Sequence, residues 1–292
     1  MDHSVIRVPR FEEARRGYVQ AGKVRLSYLE LGEGPPLILL HGFPQSPYCW
    51  RFVMPHLART HRVLAFDLKG YGESDKPEGG YDLGTLTAEM REALRNLGYD
   101  RAAWVGHDWG GALLWAIALR YPEVVERFAI INAPLHRISP LHSWYIVPFV
   151  IPGLMERLLS RFNNRFISAM RGYAYDPKVF GGKDLREYAR AFARAGVHSA
   201  ALAWYRALWR SAPQALYWLR RRVQRPCLII WGIHDRALPV GLLRGIEKYI
   251  EAPLKIHPVP QCGHWVMEEQ PEVTRELLAA FLLPAKSADA AG

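Results

Sequence analysis

Val105-Gly106-His107-Asp108-Trp109-Gly110-Gly111, "VGHDWGG", sets an acid between flanking glycines where an apolar run gives way to a helical pattern. The run ahead of it, "RAAWVGH" (101–107), reads as a short buried strand, and "GALLWAIALRYP" (111–122) as a helix stopped at Pro122. A strand entering a sharp turn, one reactive side chain at the tip and a helix leaving at once form the nucleophile elbow written G-x-S-x-G. Gly106 and Gly110 keep such a turn sterically open. The frame is therefore an elbow in which Asp108 stands where serine would.

On either side the chain repeats the same alternation. "GYVQAG" (17–22) and "VRLSYLEL" (24–31) read as an antiparallel pair, followed by the short apolar strands "PPLILLHG" (35–42), "HRVLAFD" (61–67), "RAAWVGH" and "ERFAIIN" (126–132). Helices separate them; "TLTAEMREALRNLG" (85–98) has apolar spacings of three and four and ends on Gly98. Strands alternating with helices predict a mostly parallel sheet covered on both faces. Residues 134–222 break the pattern, being helix-rich, aromatic and arginine-rich without a strand run, and are expected to form an inserted helical cap. The sheet resumes with "PCLIIWG" (226–232) and "LKIHPV" (254–259), and "PEVTRELLAAFLL" (271–283) is the last helix, with proline in its first turn. The expected organisation is a core of residues 1–133 and 223–284, a cap of 134–222 and a disordered tail over 285–292.

A chain of 292 residues that is 50% hydrophobic can bury a large core. The net charge is +10, but the basic residues are scattered, without zinc-finger spacing or an aromatic RNA-binding signature, so no nucleic-acid partner is expected. Arg220, Arg221, Arg222 and Arg225 precede an apolar strand and read as a solvated linker or helix end. Cys49, Cys227 and Cys262 are odd in number and lack metal-ligand spacing, and no apolar leader opens the chain; a reducing, cytoplasmic setting is expected. The most apolar window, "SWYIVPFVIPGLM" (143–155), is interrupted by Pro148 and Pro152 and is too short to span a bilayer. It is expected in a core or a pocket wall. No cofactor and no metal are expected.

Sites on open parallel sheets assemble beyond the carboxyl ends of the strands. Asp108 follows one strand, Asp235 follows "CLIIWGIH", and His264 follows "LKIHPVPQCG", in the order nucleophile, acid, histidine. Taken singly, Asp235 could be a turn or capping residue and His264 a loop histidine; three such positions at strand ends favour a triad. "HGFPQS" (41–46) follows "LILL", so the backbone N–H groups of Phe43 and Trp109 are expected to form an oxyanion hole. His41 is read as a brace for that loop, and His107 as turn packing. A carboxylate is a poor acyl acceptor but displaces leaving groups from saturated carbon, giving an alkyl ester of Asp108. His264, polarised by Asp235, would then activate a water that hydrolyses this ester.

With "HGFPQSPYCW", "DLKGYGESDKP", "GHDWGG", "WGIHD" and "CGHWVMEEQP" in this order, the sequence resembles the epoxide hydrolases of the α/β-hydrolase superfamily, in the aspartate-nucleophile branch of soluble epoxide hydrolase. The resemblance implies the α/β-hydrolase fold, with an eight-stranded, mostly parallel sheet, and hydrolysis of an epoxide to a vicinal diol. It also implies two cap tyrosines that hold the epoxide oxygen. Tyr205 in "AWYRALW" and Tyr145 in "SWYIVPFVIPG" occupy settings that look like theirs; the second segment departs from the family pattern by having Val150 in place of a glutamine. A phenol, with an ordinary pKa of about 10, can protonate the alkoxide that ring opening releases. A haloalkane dehalogenase is the alternative with the same nucleophile, but many of these have asparagine where this chain has Phe43. Fluoroacetate dehalogenases have arginine where this chain has Trp109. A non-catalytic ligand-binding protein of the same fold is a further alternative, although a binder has no need of nucleophile, base, acid and oxyanion loop together. The expected partners are a small apolar epoxide and water, with no membrane span; a second copy of the chain, in a homodimer, is the one macromolecular partner considered.

Overall fold

The computed structural model of the protein describes residues 8–136 and 146–283. Strands β1 (Arg15–Ala21) and β2 (Val24–Leu31) form the antiparallel pair, turning through Gly22 at φ +60°. Six more strands follow: β3 (Pro36–Leu40), β4 (Arg62–Phe66), β5 (Ala102–His107), β6 (Val125–Ile131), β7 (Cys227–Gly232) and β8 (Leu254–Val259). They make one eight-stranded sheet in the order β1-β2-β4-β3-β5-β6-β7-β8. β2 joins β4 antiparallel, and every pairing from β4 to β8 is parallel. The central strands β3, β5 and β7 are buried almost throughout, which is why they read as unbroken apolar runs rather than as alternating ones.

Helices α1 (Met54–Leu57), α2 (Leu83–Asn96) and α3 (Trp109–Arg120) lie within the first part of the core. α2 starts where Asp82 accepts a hydrogen bond from the Thr85 N–H and stops before Gly98, at φ +85°. Between β6 and β7 come α4 (Val147–Val150), α5 (Leu154–Ser168), α6 (Gly182–Phe192) and α7 (Val197–Leu219), with no strand among the described residues. This helical insertion is the cap. α8 (Val266–Glu269) and α9 (Pro271–Leu282) close the chain, α9 with proline in its first turn. The expected tail over 285–292 lies outside the described residues, and among those described no helix is long and apolar enough to cross a membrane. Cys49, Cys227 and Cys262 are free thiols, all buried.

The apolar window around 143–155 departs from expectation. Phe149 is buried, and Pro148 and Met155 line a cavity, but Val147, Ile151 and Leu154 are 62%, 45% and 46% exposed. α4 is only one turn long, and Gly153 at φ +79° redirects the chain into α5, so one apolar run is split between two faces. Sequence hydropathy does not register that split.

Candidate active site

Asp108 sits at the tip between β5 and α3, with φ +50° and ψ −118°. This is a sparsely populated backbone region for a residue with a side chain, and it aims the carboxylate away from the sheet. A Cβ on Gly106 would lie 2.5 Å from the Gly110 carbonyl oxygen, so the turn closes only with glycine there. Asp108 Oδ1 accepts a hydrogen bond from the Phe43 N–H at 2.8 Å, and the Trp109 N–H also reaches the carboxylate. Burial pushes the Asp108 pKa above its ordinary value, opposed by His264 and by those two N–H donors. The side chain keeps 19% exposure.

His264 comes from the loop after β8, and its Nε2 lies 3.7 Å from Asp108 Oδ2. On its other side, Nδ1 lies 2.8 Å from Asp235 Oδ2, after β7. Burial disfavours the imidazolium, but Asp235, by charge and hydrogen bond, and Asp108, by charge, outweigh it and hold the His264 pKa above its ordinary value. Asp235 is fixed in turn: its Oδ1 accepts the N–H groups of Ala237 and Leu238, both at 2.8 Å. The three side chains thus converge on one point beyond the carboxyl ends of β5, β7 and β8.

Two residues of this shell, Asn132 and Glu269, were not singled out by the sequence. Asn132, directly after β6 at φ +44°, donates through Nδ2 to Asp235 Oδ2 and accepts the Gly232 N–H at 3.1 Å. Its place just after a parallel strand is the same signal that marked Asp108, so it could have been found. Glu269 accepts the N–H groups of Gly263 and Trp265 at 3.0 Å and of Tyr175 at 2.6 Å, clamping the loop that carries His264. His107 does more than pack: one ring nitrogen lies 2.9 Å from the His264 carbonyl oxygen and the other 3.0 Å from Gln45 Oε1. His41 braces its loop by accepting the Leu68 N–H at 3.1 Å.

Behind Gln45 lies a second polar cluster. Gln45 Nε2 donates to Glu268 Oε2 at 2.9 Å; Glu268 Oε1 accepts from Arg51 Nη1 at 2.6 Å and from the Tyr188 hydroxyl at 2.7 Å. Burial pushes the Glu268 carboxyl up to about 7, against the pull of Arg51 and Tyr188. Arg51 also lies 3.1 Å from Asp184. Tyr188 and Asp184 belong to α6, so this cluster ties the cap to the core.

A cavity of about 260 Å³ is bounded by Asp108, His264 and the apolar side chains of Phe43, Phe149, Met155 and Phe166. A second, of about 310 Å³, runs along α3 and α7. Asp108 and Tyr205 line both, and the Tyr205 ring stands edge-on to Trp109 at 4.9 Å and to Phe43 at 5.2 Å. Tyr173 is the other cap phenol on the first cavity among the described residues. Tyr145 lies outside the described residues.

Comparison with known proteins speaks to the fold and the family. Residues 35–271 match the family model described as the α/β-hydrolase fold. Epoxide hydrolase 4 of Mus musculus is 31% identical over 278 residues, covering 89% of this chain and 76% of that protein. The soluble epoxide hydrolase of Corynebacterium sp. (strain C12) is 31% identical over 274 residues, covering 89% and 94%. Among solved structures, Cfl2 of Burkholderia cenocepacia superposes with a TM-score of 0.87 at 30% identity, covering 94% of this chain and 98% of that one. With an eight-stranded sheet, a helical cap and an aspartate at the elbow already in view, these likenesses show that the chain belongs to the epoxide hydrolases of the α/β-hydrolase superfamily, related to soluble epoxide hydrolase.

Proposed function

We propose that the protein hydrolyses an apolar epoxide to a vicinal diol through a covalent ester on Asp108. The observation that carries this reading is the division of labour between the two carboxylate oxygens. Oδ1 is held by the Phe43 N–H, whereas Oδ2 faces the cavity and His264. Oδ2 attacks an epoxide carbon, the carbon–oxygen bond breaks, and the released alkoxide takes a proton from Tyr205, with Tyr145 as the second phenol. His264 Nε2 then takes a proton from water, and the resulting hydroxide attacks Asp108 Cγ. The charge that develops on Oδ1 falls on the N–H groups of Phe43 and Trp109. Collapse breaks the Cγ–Oδ2 bond; the departing oxygen takes the proton held on His264, so the diol leaves with Oδ2, and the acid proton left on Asp108 returns to the Tyr205 phenolate, which leaves the water oxygen in the Asp108 carboxylate.

Esterification also primes the base. While Asp108 is anionic, it helps to hold the proton on His264. Once it is a neutral ester that pull is gone, and the imidazole becomes free to accept a proton at the step that needs it. An epoxide substituted on both carbons would find an apolar chamber on each side of the nucleophile.

A single turnover in heavy-oxygen water, with enzyme in excess, tests the mechanism. The first diol should be unlabelled, and the label should appear in the peptide that contains Asp108. A labelled first diol with an unlabelled peptide would show that water attacks the epoxide directly. Parallel incubation with styrene oxide and with a chloroalkane separates epoxide opening from dehalogenation.

A further inference from the structure

The outer face of α5 carries Leu154 and Leu158, one helical turn apart, and then Phe162, at a kink where φ −123° and ψ 26° leave the helical range, with Ile151 just ahead of the helix. These four side chains are 46%, 42%, 45% and 45% exposed, an unusual density of large apolar groups in water. Interleaved with them at the same spacing are Arg157, Arg161 and Arg165, all exposed. Glu156 is the only acid between 146 and 175, and it is engaged by Arg206 at 2.6 Å. The face is thus apolar and cationic at once. Its inner side is part of the active site, because Met155 and Phe166 line both the cavity that holds Asp108 and a shallow groove against Leu158 and Phe162.

We propose that this face of α5 docks the protein on the anionic surface of a lipid bilayer. An amphipathic helix with leucine and phenylalanine toward the acyl boundary and arginines at the headgroups is suited to lie in that interface. A second copy of the chain is the poorer occupant: a two-fold contact would set the same three arginines against their own copies, with Glu156 already taken. Docked this way, the groove and the cavity would lie open to apolar epoxides dissolved in the membrane. That consequence rests on the proposed function; the docking does not.

The test is sedimentation of the full chain with vesicles of phosphatidylcholine mixed with phosphatidylserine, without any epoxide. The protein should co-sediment with these vesicles, less at high salt, and far less with phosphatidylcholine alone. Leu158→Ser with Phe162→Ser should weaken binding about tenfold or more, by removing buried apolar area. Arg157→Gln with Arg161→Gln and Arg165→Gln should weaken it on the order of a hundredfold, about fivefold for each arginine. Circular dichroism and the unfolding temperature establish that both variants are folded. Failure of the unaltered protein to bind anionic vesicles overturns the proposal, as does binding that either variant leaves intact, which would reflect only the overall charge. If the serine variant instead turns a dimer into a monomer by light scattering, the face joins copies of the chain and the proposal also falls. Vesicle binding without epoxide turnover would leave the docking standing and sink the reading of Asp108.

Discussion

Asp108 is held in a strained backbone conformation, while its side chain ties the elbow to the loop after β3 by accepting the Phe43 N–H. Replacement by alanine and by glycine both remove the carboxylate, so the difference between them isolates the backbone. Glycine ordinarily costs roughly 0.5–1 kcal/mol relative to alanine; here Asp108→Gly should be the more stable by about 1 kcal/mol, because it alone relieves a strain of order 1–3 kcal/mol. Denaturant unfolding checks the order, and neither variant should turn over epoxide. His264 supports a second prediction. Its pKa is raised in the resting protein by Asp235 and Asp108, so its stabilising contribution is present below the unfolded value and fades as pH rises through the folded one. In the ester intermediate one of those anions is gone, so the acid limb of ester hydrolysis should fall at lower pH than the titration of His264 in the free protein. NMR of the labelled histidine, set against single-turnover rates, measures both, and coincident midpoints would contradict the priming step. Asn132 donates to the same Asp235 oxygen, Oδ2, that faces His264. Asn132→Ala should slow ester hydrolysis about tenfold and cost about 1–3 kcal/mol of stability by leaving buried polar groups unpaired. Ester formation should be unaffected, and quenched-flow analysis of the adduct separates the two steps.

Between secondary-structure elements, the clearest liability is the cluster that joins α6 to the core. Arg51 meets Glu268 at 2.6 Å, and both side chains are nearly inaccessible to water. Removing one partner of a buried pair typically costs about 3–5 kcal/mol, because the other charge is left uncompensated. For Arg51→Met the loss should depend on pH in a definite direction. The Glu268 carboxyl is already pushed up to about 7 with Arg51 present. Its folded pKa exceeds its unfolded one, so the protonated form suits the fold and the charged form opposes it as pH rises. Arg51→Met should therefore be strongly destabilised near about pH 8 and much less so near about pH 5. Unfolding curves at the two pH values decide it, and equal losses would mean that Glu268 is not the group left unpaired.

The site as a whole exists only where core and cap meet. Asp108, Asp235 and His264 come from loops of the sheet, while Tyr205 comes from α7 and Met155 and Phe166 from α5. Ala212 of α7 lines the second chamber. Ala212→Phe should fill part of that space and raise KM about tenfold or more for epoxides substituted on both carbons. Styrene oxide, with a single substituent, should be hydrolysed much as before. A uniform loss for both substrates would mean that the second chamber does not receive substrate.

The strands, the elbow and the positions of Asp108, Asp235 and His264 were legible because each is written locally: an apolar run, a glycine at fixed spacing, a polar residue where a strand stops. Nothing local announces that Gln45 will meet Glu268, 223 residues away, or that His107 will meet the carbonyl of His264. Such pairings follow from the order in which the strands assemble, and one hydrogen bond between distant segments leaves no periodicity to read. The α5 face shows the same limit from the other side. Leucine and phenylalanine read as core in sequence whether they turn inward, as Leu159 does, or outward, as Leu158 does. Which way a helix turns its apolar side chains is decided by what packs against it, and along α5 the core reaches only one side.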